Sequence, residues 1–389
     1  MSEGTTVGGH HARHAAPESA RMRRLALAVV VPVALVTLAL LVVLWPPGLA
    51  SVDQAGAEQH HGTVLGVERE ECPEELSDDV NGCGTARVRL TEGPDDGVEV
   101  DTVLPNGLGA PTVAEGDEVV LIVSETPEGD VWSIVDHQRA SELWVLAAAF
   151  VLAIVAFGRW RGVTALAGLA VTFALLLFFV VPAILAGESP LLVAIVGSSA
   201  IVLTVLYLTH GFSLSTTVAV LGTLASLSLT GALSALSVAA LHLSGITDDI
   251  SSSVGTTLSV NMEGLLLAGI VIGSLGVLDD VTVTQAATVT EVSRANPAYG
   301  FGQLYRAGSR VGRSHIASVI NTIILAYAGS SLPLLILILA NNDSLGGVVT
   351  DQVVAQEIVR SVVATLGLIA AVPITTALAA LVAHRRARA

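Results

Sequence analysis

Apolar runs of about twenty residues, separated by short polar segments, are the feature that most restricts how this chain can fold. A run of that length can cross a ~30 Å hydrocarbon core as an α-helix. Hydrophobic residues make up 52% of the chain and charged residues 13%, a balance outside the range of ordinary soluble domains. The sequence therefore predicts an α-helical membrane bundle. We expect about eight spans, at residues 25–44, 143–158, 163–185, 190–209, 214–243, 264–284, 315–340 and 358–383.

Two of these runs have a second interpretation. Small residues at 48–50 could form a cleavage site, so the run at 25–44 could belong to a signal peptide, although its twenty-residue core favours an uncleaved anchor. The run at 214–243 is rich in Ser, Thr and Gly and could be bent or partly interfacial. A count of roughly seven to nine spans is therefore open.

The arginines indicate the orientation of the spans. With eight spans, thirteen of the eighteen arginines lie on the side of the N-terminus, which is the cytoplasmic side by the positive-inside rule. We therefore expect a multipass protein of the cell membrane with both termini in the cytoplasm. The expected parts are a disordered cytoplasmic tail at 1–24, a first transmembrane helix at 25–44, an extracytoplasmic domain at 45–142, a seven-helix transmembrane domain at 143–384 and a basic cytoplasmic tail at 385–389.

The absence of lysine limits the chemistry that the chain can perform. All 18 basic residues are arginines, so a Walker A phosphate loop and a Schiff-base lysine are excluded. With two cysteines, a four-cysteine zinc site and an iron–sulfur cluster are excluded as well. Neither H-E-x-x-H nor G-x-S-x-G occurs. We expect a protein that is not an enzyme, that holds no metal or cofactor and that binds no nucleic acid.

Residues 45–142 form the acidic part of the chain. They hold 22 of the 34 acidic residues against four arginines, a local net charge near −18, while the remainder of the chain is close to neutral. Short alternating runs separated by Gly, Pro and Asp predict a small all-β domain, either a barrel or a sandwich. The turn Gly116-Asp117 before an apolar run resembles that of five-stranded OB-like barrels. The predicted strands are 63–68, 85–90, 98–104, 118–123 and 131–135.

The two cysteines, Cys72 and Cys83, belong to this outer domain. Disulfides persist outside the cytoplasm, so we expect the two to be bonded. The segment around them is rich in the oxygen ligands that calcium prefers, but its spacing matches no calcium loop. A solvated acidic loop is therefore the preferred interpretation, and calcium binding is the alternative. The residues concerned are Glu70, Glu71, Glu74, Glu75, Asp78, Asp79 and Asn81.

A stripe of small residues that ends in a carboxylate follows one face of the sixth predicted span. At 100° per residue, Gly269, Gly273 and Gly276 share this face with Asp280. Glycines at this spacing let another helix approach closely, so we interpret them as a helix-packing surface. Because Asp280 continues the stripe and Asp279 is rotated by about 100°, we expect Asp280 to be the more important carboxylate.

The two aspartates have a functional and a structural interpretation. Adjacent carboxylates at membrane depth are costly unless another group offsets them. In the functional interpretation, Asp279 and Asp280 respond to protons or cations, with Thr282, Thr284 and Gln285 as hydrogen-bonding neighbours. In the structural interpretation, the span ends here and an aspartate caps a helix at the cytoplasmic interface. The sequence does not decide between the two.

Basic and polar residues continue towards the seventh predicted span. Arg306, Arg310 and Arg313 can meet the anionic inner leaflet. An ion pair between one of them and an aspartate is the alternative. His315 and Asn321 carry the polar trace into the span, and for His315 we favour interfacial packing over proton transfer.

Two blocks of sequence carry a family resemblance. The blocks LDDVTVTQAA at 278–287 and VGRSHIASVINTIILAYAG at 311–329, followed by LPLL at 332–335, resemble the YibE/YibF-like family of bacterial membrane proteins. The resemblance extends over most of residues 60–383. In the family pattern an Asp commonly precedes the His of the second block, whereas Ser314 stands here. The resemblance implies a multipass cell-membrane protein and names no substrate.

Two functions of different classes fit the sequence. The first is a secondary transporter or exporter of a small solute, because carboxylates and glycines share a span and no ATPase motif is present. The second is a non-transporting envelope scaffold whose acidic outer domain binds an envelope component. Both imply contact with the lipid bilayer, and both allow an oligomer or a membrane-protein partner. Internal symmetry, which would favour transport, is not evident between the halves of the chain.

Overall fold

The chain divides into two compact units. One consists of residues 51–162, and the other combines residues 1–50 with residues 163–389. Both are seen in a computed structural model of the protein. The structure describes residues 20–46, 58–72, 80–127, 129–340 and 345–388.

Two predicted segments fall largely outside the described residues. Of the predicted tail at 1–24, only the last residues are described, and they already belong to a helix that begins at Ala20. The acidic loop is undescribed at 73–79, so its calcium-binding interpretation stays a prediction. Its undescribed acidic residues are Glu74, Glu75, Asp78 and Asp79.

The smaller unit contains a closed five-stranded barrel with the strand order β1-β2-β3-β5-β4. Neighbouring strands are antiparallel except for β3 and β5. Alternate side chains fill the interior, among them Val64, Val88 and Leu121, because successive strand residues face opposite sides. The predicted small barrel is confirmed. The strands are β1 Gln59–Glu70, β2 Cys83–Leu90, β3 Glu99–Val103, β4 Glu118–Thr126 and β5 Gly129–His137.

The predicted disulfide joins Cys72 to Cys83, with Cα atoms 5.2 Å apart. Cys83 begins β2 and is the register partner of Glu70, the last residue of β1. The bond therefore fastens the two strands where their pairing ends. Nearby, the buried Asn81 side chain donates to the carbonyl oxygens of Pro105 and Pro111, which holds the loop after β3 against the same end of the barrel.

Among the described residues, seven helical segments are long and apolar enough to cross a membrane, and each coincides with a predicted span. The α-helical membrane bundle is thereby confirmed. A π-helical turn, Leu176–Val180, joins two of the helices into one span. The helices are α1 Ala20–Val43, α2 Ala140–Gly158, α3 Trp160–Leu175, α4 Val181–Leu185, α5 Pro190–His210, α6 Leu214–Leu241, α7 Asp249–Thr257, α8 Met262–Ala295, α9 Phe301–Ser330, α10 Leu332–Ala340, α11 Leu345–Thr350 and α12 Gln352–Arg388.

The run at 214–243 is one continuous helix, α6, which matches the predicted span. Two other predicted boundaries differ from the observed ones. The sixth predicted span, 264–284, lies within a longer helix, because α8 begins at Met262 and continues to Ala295. The run at 315–340 is divided between α9 and α10, where Pro333 lacks the N–H that a continuing helix would need.

Helix α9 is also long, but it is too polar to count among the apolar spans. It lies alongside α8 over much of its length. Gly308 packs against Val289 near the end of α8, whereas the hydroxyl of Tyr327 lies beside Gly273 in the first half of α8. The two helices are therefore antiparallel. Helix α9 therefore ends near the end of the larger unit at which α8 begins.

Both ends of the described chain lie at the same end of the larger unit. The start of α1 is beside the α5–α6 connection, because Ala26 and Phe212 line one groove. The end of α12 is beside the start of α6, because Ala379 and Val218 belong to one buried cluster. The N-terminus of α1 and the C-terminus of α12 therefore share this end, which we call the terminal end.

Small residues at every fourth position bring α6 and α12 into close contact. Gly222 of α6 faces Thr375 of α12, and Gly367 of α12 faces Thr230 of α6. A Cβ atom at either glycine would overlap the facing threonine hydroxyl. Ser226, between the two contacts, is fully buried. Small residues in such a row allow two helix backbones to pack closely within a membrane.

Replacing Gly367 by Ala should lower the free energy of unfolding by ~1–3 kcal/mol, because the new methyl group overlaps the Thr230 hydroxyl. The matched control is Gly276→Ala on α8, where no described atom lies within 4 Å of the added Cβ. It should be neutral or slightly stabilising, since Ala favours helices. The measurement is thermal unfolding of the purified protein in detergent, followed by circular dichroism.

The Thr230→Ala exchange should restore stability to the Gly367→Ala variant, because it removes the hydroxyl that the added methyl group meets. Equal stability of Gly367→Ala and Gly276→Ala would contradict the close contact between α6 and α12.

Candidate functional site

Asp279 and Asp280 lie in the middle of α8, with regular helix on both sides. The N-cap of α8 is Asn261, whose Oδ1 accepts a hydrogen bond from the Gly264 N–H at 2.7 Å. Because capping needs the free N–H groups of a helix start, neither aspartate is a cap. The structural interpretation of the two aspartates is therefore excluded.

The two carboxylates have different surroundings. Asp280 is exposed, whereas Asp279 is half-buried and its Oδ1 atom is buried without a hydrogen-bond partner among the described residues. The two side chains differ by about 100° in direction, so only one can face the interior. The geometry therefore makes Asp279 the more buried carboxylate, whereas the sequence favoured Asp280 as the more important one.

The glycine stripe lies on the exposed face with Asp280. Within the described parts of the chain, no atom is within 4 Å of a Cβ built at Gly269 or Gly276. Gly273 has one neighbour, the Tyr327 hydroxyl, at 3.3 Å from such an atom. No described helix of this chain therefore packs on Gly269 or Gly276, and their helix-packing role stays a prediction. The helix period shows which residues share a face, but it does not show whether that face is buried.

Buried polar side chains connect α8 to α6. The hydroxyls of Thr223 and Thr282 form a hydrogen bond of 2.6 Å, and both side chains are fully buried. The Thr282 hydroxyl also lies 3.1 Å from the Asp279 carbonyl oxygen. Asp279 therefore belongs to the helical turn that makes this contact.

A second buried contact joins α8 to α9 and α12. The Gln285 Nε2 atom donates to the Thr376 hydroxyl at 2.6 Å and to the Gly308 carbonyl oxygen at 2.9 Å. Gly308 and Gly312 leave the necessary room, because a Cβ on either would crowd Gln285 and its neighbours. We call the residues that α6, α8 and α12 contribute to these two contacts the polar seam. It consists of Thr223, Thr282, Gln285 and Thr376, together with Asp279 through its backbone carbonyl oxygen.

Three of the five seam residues were predicted from the sequence, namely Asp279, Thr282 and Gln285. Thr223 and Thr376 were missed, although Thr223 lies in a run rich in Ser, Thr and Gly and Thr376 belongs to a pair of threonines in an apolar run. Thr284, the other predicted neighbour, is exposed and outside the seam. A hydroxyl-rich segment inside an apolar span is the signal that would have identified the missing residues.

The predicted residues of α9 are more dispersed. Arg310, Arg313 and Asn321 are exposed, and His315 is half-buried with an Nε2 atom that lacks a partner among the described residues. None of the ion pairs between described residues includes Asp279 or Asp280. The alternative of an ion pair between an arginine and an aspartate is therefore not observed.

An ion pair on α12 was not predicted. Glu357 and Arg360 lie one helical turn apart, with 3.0 Å between Oε1 and Nη1, and Tyr327 of α9 is within electrostatic range of both. Opposite charges three residues apart in a predicted helix were the available signal. No group of three or more His, Cys, Asp or Glu side chains in the described parts of the chain could hold a metal ion.

Comparison with known protein families identifies a match for the helical part of the chain. The family model described as YibE/F-like protein matches residues 146–385, which is more than half of the chain and includes the whole polar seam. The β-barrel lies outside the matched residues. A search of the curated proteins and a search of the solved structures gave no match.

Replacing Gln285 by Leu should lower the free energy of unfolding by ~1–2 kcal/mol, because Thr376 and the Gly308 carbonyl lose their buried donor. The matched control is Thr284→Leu, which changes the neighbouring exposed residue and should be nearly neutral. Thermal unfolding in detergent measures both variants. If Gln285→Leu were as stable as the control, the hydrogen bonds of Gln285 would not hold α9 in place.

Proposed function

The chain belongs to the YibE/F-like family of membrane proteins, and we propose that it is a secondary transporter or exporter of a small solute in the cell membrane. The observation that carries this proposal is the Asp279 carboxylate, half-buried at the middle of α8 beside the polar seam. Ionisable groups at membrane depth are costly and most often mark the path of an ion or a substrate. We propose no enzymatic activity, since the motifs of ATP hydrolysis and of the common hydrolases are missing from the sequence.

In the proposed cycle, Asp279 binds a proton or a small cation in one conformation and releases it in another. A buried carboxylate oxygen without a partner is costly, and a bound proton or cation would supply that partner. The hydroxyls of Thr223 and Thr282 can exchange their mutual hydrogen bond for one to a solute or a water molecule. Ser226, whose Oγ is buried without a partner among the described residues, is a further donor on α6.

We further propose that the terminal end of the larger unit faces the cytoplasm. Arginines of α9 and of the end of α12 lie at this end, and the positive-inside rule assigns such residues to the cytoplasmic side. The barrel then lies outside, where its disulfide would be maintained. Both termini are cytoplasmic in this arrangement.

Cysteine labelling in intact cells tests the orientation. A cysteine at Asp96, in an exposed turn of the barrel, should react with a membrane-impermeant maleimide. A cysteine at Ala298, between α8 and α9, should react only after permeabilisation. The opposite pattern would show that the proposed orientation is inverted.

Replacing Asp279 by Asn should abolish transport while leaving the protein folded, because the amide keeps the size of the side chain but cannot ionise. Proteoliposomes are incubated with a mixture of small solutes from a cell extract under a pH gradient, and the entrapped solutes are quantified by mass spectrometry. Wild-type protein should accumulate at least one solute about tenfold above Asp279→Asn, a loss of roughly 1.4 kcal/mol or more in the transport step.

The matched control is Asp280→Asn, which changes the adjacent exposed carboxylate and should accumulate the solute as the wild type does. If no solute enters wild-type proteoliposomes, the transporter proposal fails. If the Asp279→Asn variant transports normally, Asp279 does not act by ionising, but the proposal that the protein is a transporter still stands.

A second candidate function is a scaffold that acts through the barrel. An apolar patch lies on the outer face of β3 and β5, where Val103 pairs with Ser133 and is flanked by Val131 and Val135. All three valines are exposed on an otherwise acidic domain. Such a patch favours contact with another envelope protein. Under this alternative, Val103→Asp would remove the biological effect of the protein and Asp279→Asn would not.

A further inference from the structure

A groove separates the first half of α1 from α5 and from the start of α6. Near the other end of α1, Leu44 is buried and the Trp45 ring stacks on Phe179 with centroids 5.7 Å apart. Towards the start of α1, a cavity of about 660 Å³ opens between residues 26–34 and residues 203–217. This volume is within the range of known ligand sites.

The described residues that line the groove are mostly apolar, and none of them is charged. Its hydroxyl groups already bond within the protein, as the Tyr207 and Thr217 hydroxyls do with each other at 3.1 Å. The Thr204 hydroxyl donates to the Ala200 carbonyl oxygen, and Ser213 caps α6. No polar group of the groove therefore requires a partner from a ligand. The geometry selects an aliphatic occupant.

The position of the groove indicates that an aliphatic occupant would come from the membrane. Both α1 and α5 are long and apolar enough to cross a membrane, so a groove between them opens towards lipid acyl chains. The helix α1 begins with three arginines, at positions 21, 23 and 24, and has no acidic residue in its first turn. Arg24 is exposed, two positions before the first groove residue, Ala26. Basic residues at the membrane surface attract anionic headgroups.

We propose that this groove binds one acyl chain of an anionic glycerophospholipid, with the headgroup at the start of α1, where Arg24 is exposed. The bound lipid fills the space between α1 and α5 and stabilises the first half of α1 against the bundle. This site is independent of the proposed transport function, because none of its lining residues belongs to the polar seam.

The test uses the full-length protein reconstituted in nanodiscs that contain equal amounts of phosphatidylglycerol and phosphatidylcholine. The protein is extracted in mild detergent, and the lipids that remain bound are identified by native mass spectrometry. Wild-type protein should retain phosphatidylglycerol. Filling the groove with Ala34→Phe should lower this retention by about tenfold or more, because several buried methylene groups lose their site.

The matched control is Leu35→Phe, which adds an aromatic ring to the neighbouring residue on the exposed face of α1 and should retain lipid as the wild type does. The arginines are tested separately, by changing positions 21, 23 and 24 to Gln. This variant leaves the groove intact, so it remains informative if Ala34→Phe does not fold. It should lose the preference for phosphatidylglycerol over phosphatidylcholine.

Three results would overturn the proposal. One is equal retention of lipid by wild type, Ala34→Phe and the arginine variant. Another is equal retention of the two lipids by the wild type, which would show that the arginines select no headgroup. The third is a rise in retained lipid after deletion of residues 1–19, which would identify that segment of the chain as the occupant of the groove.

Discussion

The contact between α6 and α12 is the interaction on which the rest of the helical unit depends. Lipid gives membrane helices no hydrophobic reason to associate, so close packing and hydrogen bonds between helices must hold them together. At Gly222 and Gly367 the backbones approach so closely that a threonine hydroxyl occupies the space of a missing Cβ. Because α6 and α12 are in contact, α8 packs against both of them, and the polar side chains on its buried face need hydrogen-bond partners on each. These hydrogen bonds form the polar seam.

The polar seam also explains how a helix as polar as α9 is held against its neighbours α8 and α12. Because α9 carries several arginines and buries few of its side chains, apolar contacts alone do not hold it against the other helices. Gln285 supplies a specific attachment instead, since one amide group bonds both α9 and α12. A buried amide with both of its donors satisfied fixes the register of three helices, because a shift by one residue would leave these groups unpaired. The same rigidity gives Asp279, less than two turns away along α8, a defined position.

The sequence predicts the architecture well because length and hydrophobicity decide which segments span a membrane, and alternation with turn residues decides the barrel strands. It predicts the site less well. The glycines at 269, 273 and 276 are regularly spaced but exposed, whereas the contact between α6 and α12 uses Gly222, which stands among serines and threonines, and Gly367, which stands in an apolar segment. A periodic pattern within one helix is a property of that helix alone. Burial depends on the facing helix, and here the facing row of small residues lies more than a hundred positions away in the sequence.

The two units differ in net charge. The barrel carries most of the acidic residues, and the helical unit is nearly neutral, with arginines concentrated in the connections and ends near its termini. Because a cluster of arginines is attracted to anionic headgroups, the residues that orient the helices in the proposed topology are also suited to hold a lipid at the start of α1. Arginine fits the second role better than lysine, since its planar guanidinium bonds phosphate oxygens in a bidentate manner. A chain without lysine can therefore anchor itself and recruit lipid with a single residue type, and the few carboxylates left at membrane depth stand out as the groups that need another explanation.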